Sequence, residues 1–230
     1  MRPEVFTDRA EAGRRLGTAV RDLIGADAAL VLGLPRGGVT VAAAVADVLG
    51  APLDVLVVRK IGVPGHRELA MGALALDIVV RNQDVIDGLG VDAATFERAA
   101  EAERALASTR ERDYRGVRAA APLAGLTAVV VDDGLATGAT ARAAVQALRH
   151  RETDRPRRVV LAVPVAPRDS LLDLASLVDD VVCLQTPEPF YAVGEWYRDF
   201  DQVGDDEVRA VLAAQGADSS GRPMSGPSTG

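Results

Sequence analysis

One cysteine, one lysine, two histidines and eight aromatic residues among 230 positions leave several kinds of protein out of reach. A disulfide framework needs pairs, and Cys183 stands alone inside an apolar run, the position of a packing residue rather than a nucleophile. No apolar run approaches the roughly 20 residues of a membrane span. The start, Met1 to Phe6, has no apolar stretch before a small-residue cleavage site, so the chain reads as cytoplasmic with no membrane partner. His66 lies in a polar stretch with nothing at metal-ligand spacing around it. A net charge of −7 gives no electrostatic footprint for nucleic acid, although a small anion needs only a local site.

What is present is the balance of one ordinary folded domain, 48% hydrophobic and 26% charged. Five short Val- and Leu-rich runs, Ala29 to Leu34, Leu53 to Val58, Thr127 to Val131, Val159 to Val163 and Val181 to Leu184, read as parallel strands buried on both faces. Helical stretches at Val39 to Leu49, Thr140 to His150 and Asp169 to Leu177 alternate with them, which implies an α/β fold with a doubly wound, mainly parallel five-stranded sheet. Thr7 to Ile24 reads as an amphipathic helix capped by Thr7 or Asp8, with Leu16, Val20, Leu23 and Ile24 inward. Two segments break the alternation: Ala73 to Asn82, a strand or hairpin around Asp77, and Asp92 to Tyr114, a charged helical insertion expected to be a solvated face with i,i+4 pairs. Residues 1–215 are expected to form a single domain and 216–230, rich in Gly, Ser and Pro, a disordered tail.

The chemistry concentrates in Thr127 to Thr140, a buried strand that ends in Asp132 and Asp133, turns, and enters a helix through Ala136-Thr137-Gly138-Ala139-Thr140. Gly138 permits close backbone approach, and the two threonines bring hydroxyls beside the free N–H groups of a helix start, a cradle for a phosphate monoester. Two carboxylates one loop away accept hydrogen bonds from a sugar diol, and the combination describes a ribose 5-phosphate. Leu34-Pro35-Arg36-Gly37-Gly38 follows the first strand and offers backbone N–H groups and a guanidinium to an oxyanion. The sole lysine, Lys60, follows Arg59 at the end of the second predicted strand, and the polar stretch from Gly62 to Gly72 reads as a flexible lid loop. Five of the eight aromatics fall between Pro187 and Asp201. Two uses are open for them: a hood in which Phe190 and Trp196 stack a planar acceptor, or a segment pinned to the domain by its rings.

The stretch from Asp132 to Thr140 resembles the phosphoribosyl-pyrophosphate (PRPP) signature of the type I phosphoribosyltransferases, and the likeness extends from about Phe6 to Leu212. It is nearest to a little-characterised bacterial branch with Pro-Arg-Gly-Gly, Val-Arg-Lys and Asp-Asp-Gly-x-Ala-Thr-Gly in this order. The resemblance implies that Asp132 and Asp133 bind the ribose hydroxyls and that Ala136, Thr137, Gly138, Ala139 and Thr140 bind the 5-phosphate. It also implies that Arg36, Gly37, Gly38, Arg59 and Lys60 meet the pyrophosphate, with Arg36 and Lys60 stabilising the leaving group. Relatives of this fold carry a non-proline cis peptide in the pyrophosphate loop, which here would join Pro35 to Arg36. Mg2+ arriving with PRPP, a small-molecule nitrogenous acceptor and a homodimer belong to the same implication. Where hypoxanthine-guanine enzymes place a carboxylate for the purine, this chain has Ala136, so the acceptor stays open. A PRPP-sensing protein without catalysis, or a hydrolase of phosphoribosyl compounds, are the alternatives.

Overall fold

The computed structural model of the chain describes residues 4–219, apart from the side chains at 67, 68 and 216–219. Its first half runs α1 (Arg9–Ile24), β1 (Ala29–Gly33), α2 (Gly37–Leu49), β2 (Leu53–Val55), β3 (Val58–Val63), β4 (His66–Ala75) and β5 (Ile78–Arg81). Then come α3 (Gln83–Gly88), α4 (Ala93–Arg115), β6 (Thr127–Val131), α5 (Ala139–Arg149), β7 (Arg158–Val165), α6 (Arg168–Ala175), β8 (Asp180–Gln185) and α7 (Asp205–Ser219). The five apolar runs form one parallel sheet, as their composition requires, in the order β2-β1-β6-β7-β8. Alternate residues serve opposite cores: Val31, Val129 and Val131 pack with α1 and α2, while Leu30, Leu32 and Val130 pack with α5. Strand order reverses between β1 and β6, and a doubly wound sheet opens a crevice beyond the carboxyl ends of such a pair.

Asp8 caps α1, accepting from the Glu11 N–H at 2.7 Å, and Leu16, Val20 and Ile24 face inward as expected. Leu23 does not; it is 39% exposed. Gly13 and Gly17 set the contact line, because a Cβ on either would strike α2, 2.5 Å from the Val41 carbonyl or 2.9 Å from Val48. That close approach turns the helix so that Leu23 lies off the seam.

The run from Leu53 to Val58 is two strands rather than one. β1 ends at Gly33, whose carbonyl accepts the Leu56 N–H at 3.0 Å, and beyond that point β2 has no neighbour to extend along. From Val58 the chain enters a separate antiparallel sheet, β3-β4-β5. The stretch expected to be a lid loop is the outer part of its first hairpin, closed by Pro64 and Gly65 at φ +80°, a conformation glycine accepts without steric cost. Leu76 and Asp77, at φ 51° and 62°, make the second turn, so of the two forms expected around Asp77, strand or hairpin, the segment takes the hairpin.

The insertion is α4, capped by Asp92, but its charges do more than decorate a solvated face. Glu103 holds Arg59 at 2.8 Å, Glu97 holds Arg81 at 2.5 Å, and Arg115 holds the buried Asp54 at 2.7 Å, so the helix clamps β2, β3 and β5. Unforeseen in the sequence, α7 packs beside it: the Tyr114 hydroxyl donates to Asp205 at 2.6 Å. Burial and that bond push the phenol up to about 12, while the same bond holds Asp205 below the usual carboxylate range. α7 runs past Gly216, where the sequence begins the tail; residues 220–230 lie outside the described residues. Among the described residues no helix is long and apolar enough to cross a membrane.

Cys183 lies on β8 with its thiol donating to the Gln185 carbonyl at 3.2 Å. Burial pushes it up to about 11 from an ordinary 9.0, so it holds about a hundredfold less thiolate than a free thiol at any pH below both values. Alkylation of the folded protein at pH 8 is therefore expected to be about a hundredfold slower than after denaturation. Equal rates, followed by mass spectrometry, would contradict the packing role.

Candidate active site

Pairing of Gly33 with Val131 brings β1 and β6 to the same level, so the chains leaving them meet at once. The Leu34 N–H donates back to the Val131 carbonyl at 2.9 Å, and the Pro35 to Arg36 bond is cis, as the sequence reading expected. Gly37 and Gly38 open α2 directly against the two acids. A Cβ on Gly37 would fall 1.9 Å from Asp133 Oδ2, and one on Gly38 would fall 2.9 Å from Asp132 Cα. The glycines are thus demanded by the approach of the two loops, and the Pro-Arg-Gly-Gly turn and the paired acids form one site.

The acids sit in different surroundings. Asp133 Oδ2 accepts from Arg9 Nε at 2.8 Å, and its backbone carbonyl accepts from the Tyr197 hydroxyl at 2.5 Å. Among the described residues Asp132 Oδ1 accepts only the neighbouring Asp133 N–H, at 2.9 Å. Burial raises both carboxyls; at Asp132 the charge of Asp133 adds to it and the pKa lies well above the usual range, whereas Arg9 offsets part of the burial at Asp133.

Beyond the acids the loop is built for close backbone contact. Gly138 sits at φ 69°, and a Cβ there would lie 2.9 Å from Leu174 Cδ1. Ser170 on α6 donates to the Ala136 carbonyl at 2.7 Å, bracing the loop from behind. α5 opens at Ala139 with no side-chain cap; Thr137 and Thr140 are exposed beside its first N–H groups, which carry the positive end of the helix dipole. Ala136 to Thr140 therefore lie together beyond the strand end, as the sequence arranged them, with Gly138 buried and the other four exposed.

Arg59 and Lys60 are placed differently from the expectation. They lie within β3 of the second sheet rather than at the end of β2, and neighbouring strand residues point to opposite faces. Arg59 turns to Glu103 on α4, while Lys60 is exposed on the other face, so the two do not reach one ligand from one side. The aromatic segment is used for packing at Trp196 and Tyr197: these join Phe6 and Phe200 in a cluster, with Tyr197 5.5 Å from Phe6 and stacked 4.9 Å from Phe200. Backbone bonds from Phe6 N to the Trp196 carbonyl and from Arg198 N to the Phe6 carbonyl, both 2.8 Å, tie this segment to the N-terminus. Phe190 is half-buried. Among the described residues, no three His, Cys, Asp or Glu side chains gather as a metal-binding group.

Sequence reasoning missed Arg9, Tyr197 and Ser170. Arg9 carried a signal: it is the first residue of α1, where the helix dipole favours an acid over a cation, so an arginine there has a partner elsewhere.

Residues 9–201 match the family described as the phosphoribosyl transferase domain. Two Mycobacterium tuberculosis proteins, from strains CDC 1551 and H37Rv and both assigned the name phosphoribosyl transferase, are 50% identical over 210 residues, covering 91% of this chain and 46% of each relative. The chain thus spans about half the length of the curated relatives it matches. The crystal structure of TT1426 from Thermus thermophilus superposes with a TM-score of 0.80 at 42% identity, covering 92% of this chain and 99% of that one. With the family's match spanning the sheet, both glycine-rich turns and the paired acids, the chain belongs to the phosphoribosyl transferase domain family.

Proposed function

We propose that the protein transfers the 5-phosphoribosyl group of PRPP to a nitrogenous small-molecule acceptor, a nucleobase or an amine, releasing pyrophosphate in a Mg2+-dependent reaction. The observation that carries this reading is the meeting, at the switch point of the sheet, of the Arg36-Gly37-Gly38 turn with Asp132, Asp133 and the open start of α5. Asp132 and Asp133 accept the ribose hydroxyls, and the N–H groups and hydroxyls of Thr137 to Thr140 take the 5-phosphate. Holding the sugar at both ends fixes C1 against the acceptor, and positioning of this kind removes much of the barrier for a group that departs as an oxocarbenium-like centre. Arg36, the Gly37 and Gly38 amides and, from the hairpin, Lys60 stabilise the charge that builds on the departing diphosphate.

The donor set suits a magnesium ion that keeps its ligands from substrate and water, because the acids come as one pair and one oxygen of Asp133 is already on Arg9. Such an ion would be held through a diphosphate seated on the Arg36 to Gly38 turn, where it neutralises leaving-group charge. Dimerisation in the cytoplasm is part of the same proposal.

Pyrophosphate release from Mg2+-PRPP, measured with a panel of nucleobases, amines and water, tests the reading. Release that requires one acceptor class supports it; release with water alone makes the protein a hydrolase, and PRPP binding without release makes it a sensor. In the same assay Lys60→Arg is expected to slow release while leaving the melting temperature nearly intact, since an exposed cation contributes little stability. A large loss of stability with normal turnover would make Lys60 structural.

A further inference from the structure

Arg9 is held on three sides. Its Nε donates to Asp133 Oδ2 at 2.8 Å, its Nη1 donates to the Asp201 carbonyl at 2.9 Å, and its guanidinium carbon lies 3.8 Å from the centre of the Phe200 ring. The side chain is 11% exposed and that of Asp133 17%, so the pair is largely withdrawn from water. Three elements that are remote in the chain therefore converge on one guanidinium: the start of α1, the segment around Phe200 and the end of β6. A fourth contact, from the Tyr197 hydroxyl to the Asp133 carbonyl, fixes the backbone beneath it.

We propose that Arg9 is a positioning residue for the ribose site: it occupies one oxygen of Asp133, aims the other at the sugar diol, and keeps the carboxylate charged beside Asp132. This deepens the PRPP reading and rests on it. Two acids side by side at the buried end of a strand resist ionising together, and a guanidinium on one of them relieves the repulsion where the diol needs two acceptors. Arginine suits the task better than lysine, because its planar fork makes the Asp133 and Asp201 bonds at once while its face lies on Phe200. The aromatic segment then has a function besides packing: Phe200 and Asp201 form the seat that keeps Arg9 on Asp133. The charged or titratable groups facing Asp133 are Asp132 from its own strand end, Arg9 from α1 and Tyr197 from the C-terminal segment, with Glu11 of α1 near Tyr197.

The test is Arg9→Gln beside Arg9→Lys, read two ways. In the empty protein, carbon-13 NMR of the aspartate carboxyls follows Asp133 directly; its titration is expected to move to higher pH in Arg9→Gln and to return most of the way in Arg9→Lys. Mg2+-PRPP affinity, measured by calorimetry across pH, is expected to fall at least tenfold near neutrality in Arg9→Gln. Its loss toward acid is expected to begin at higher pH than in the unaltered protein, because the diol is bound by the ionised acids. Substrate ionisation is common to all variants and cancels in the comparison. If Arg9→Gln does not fold, Phe200→Leu removes the seat while keeping Arg9 and is expected to shift both readouts in the same direction. An Asp133 titration unmoved in every variant, or an affinity reduced by the same factor at all pH values, would make Arg9 merely structural. Should the unaltered protein bind no PRPP, the PRPP reading fails, and the NMR titration still decides whether Arg9 sets the charge of Asp133.

Discussion

Asp132→Asn is expected to raise the melting temperature near neutral pH and, with the same change, to weaken PRPP binding. The half-buried carboxyl stands at the strand end, where it accepts the Asp133 N–H, and its pKa is raised first by desolvation and then by the charge of Asp133. A carboxyl whose folded pKa lies above its unfolded one binds protons more readily in the folded state, so stability falls as pH rises through that interval. The cost is absent below the unfolded pKa, near 3.8, and complete above the folded one. Asn keeps the acceptor for the Asp133 N–H and removes the titration, so the gain should be about 0.5–2 kcal/mol at neutral pH and vanish in acid. Asp133→Asn should bring no gain, because it takes the counter-charge from Arg9, whose side chain is 11% exposed. For binding the order of benefit reverses: each substitution deletes charge-assisted bonds to the diol and should cost about 1.5–3 kcal/mol, and the double variant roughly the sum. Thermal melts at two pH values and calorimetry with Mg2+-PRPP check both halves. A folded double variant with unaltered affinity would remove the ribose from these acids, and a gain of Asp132→Asn over the unaltered protein that is no larger at pH 8 than at pH 4 would remove the burial argument.

The parts of this site that were legible in the sequence are those whose chemistry is local. Asp132 to Thr140 carry strand, acids, turn and helix start in one continuous stretch, and Arg36 to Gly38 follow an apolar run that is a strand on any reading. Arg9 and Tyr197 reach Asp133 from 124 and 64 residues away, and no spacing rule joins such positions. Lys60 was misplaced for a related reason. The apolar run from Leu53 to Val58 reads as continuous, and only the length of β1 decides that it breaks after Val55 and changes sheet. The lid became a hairpin because Pro64-Gly65 is turn chemistry set between residues that pair, which outweighed the polar side chains that suggested a loop. α7 escaped notice because few of its residues are buried, Val208 and Leu212 being its contribution to the core.

Where the chain leaves the main sheet for that hairpin, Asp54→Ala should destabilise the fold by about 3–5 kcal/mol. Asp54 is 5% exposed at the edge of the sheet, yet each of its oxygens is used. Oδ1 accepts from the Val55 N–H and from Arg115 Nε, both at 2.7 Å, and Oδ2 accepts from the Ala121 N–H at 3.0 Å. Arg115 continues the network, donating to the Val55 carbonyl and to Glu111, both at 2.9 Å, so α4 is fastened to β2 through one carboxylate. Burial holds the Glu111 carboxyl above its usual range. Deleting the Asp54 carboxylate takes one of its two counter-charges from a guanidinium that is 10% exposed, and leaves the Ala121 N–H without its acceptor. Replacing both partners by leucine should recover part of the loss, because it removes the under-compensated guanidinium while the Ala121 N–H still lacks its acceptor. Denaturant titration of Asp54→Leu, Arg115→Leu and the double closes the cycle, and a loss below about 1 kcal/mol in Asp54→Ala would show that the network is dispensable. The functional consequence follows from position. β2 ends one residue after Asp54, and β3 begins three residues later with Arg59 fastened to the same helix through Glu103. Loosening α4 from β2 therefore loosens the strand that carries Lys60, and pyrophosphate release in the surviving folded fraction should fall along with stability.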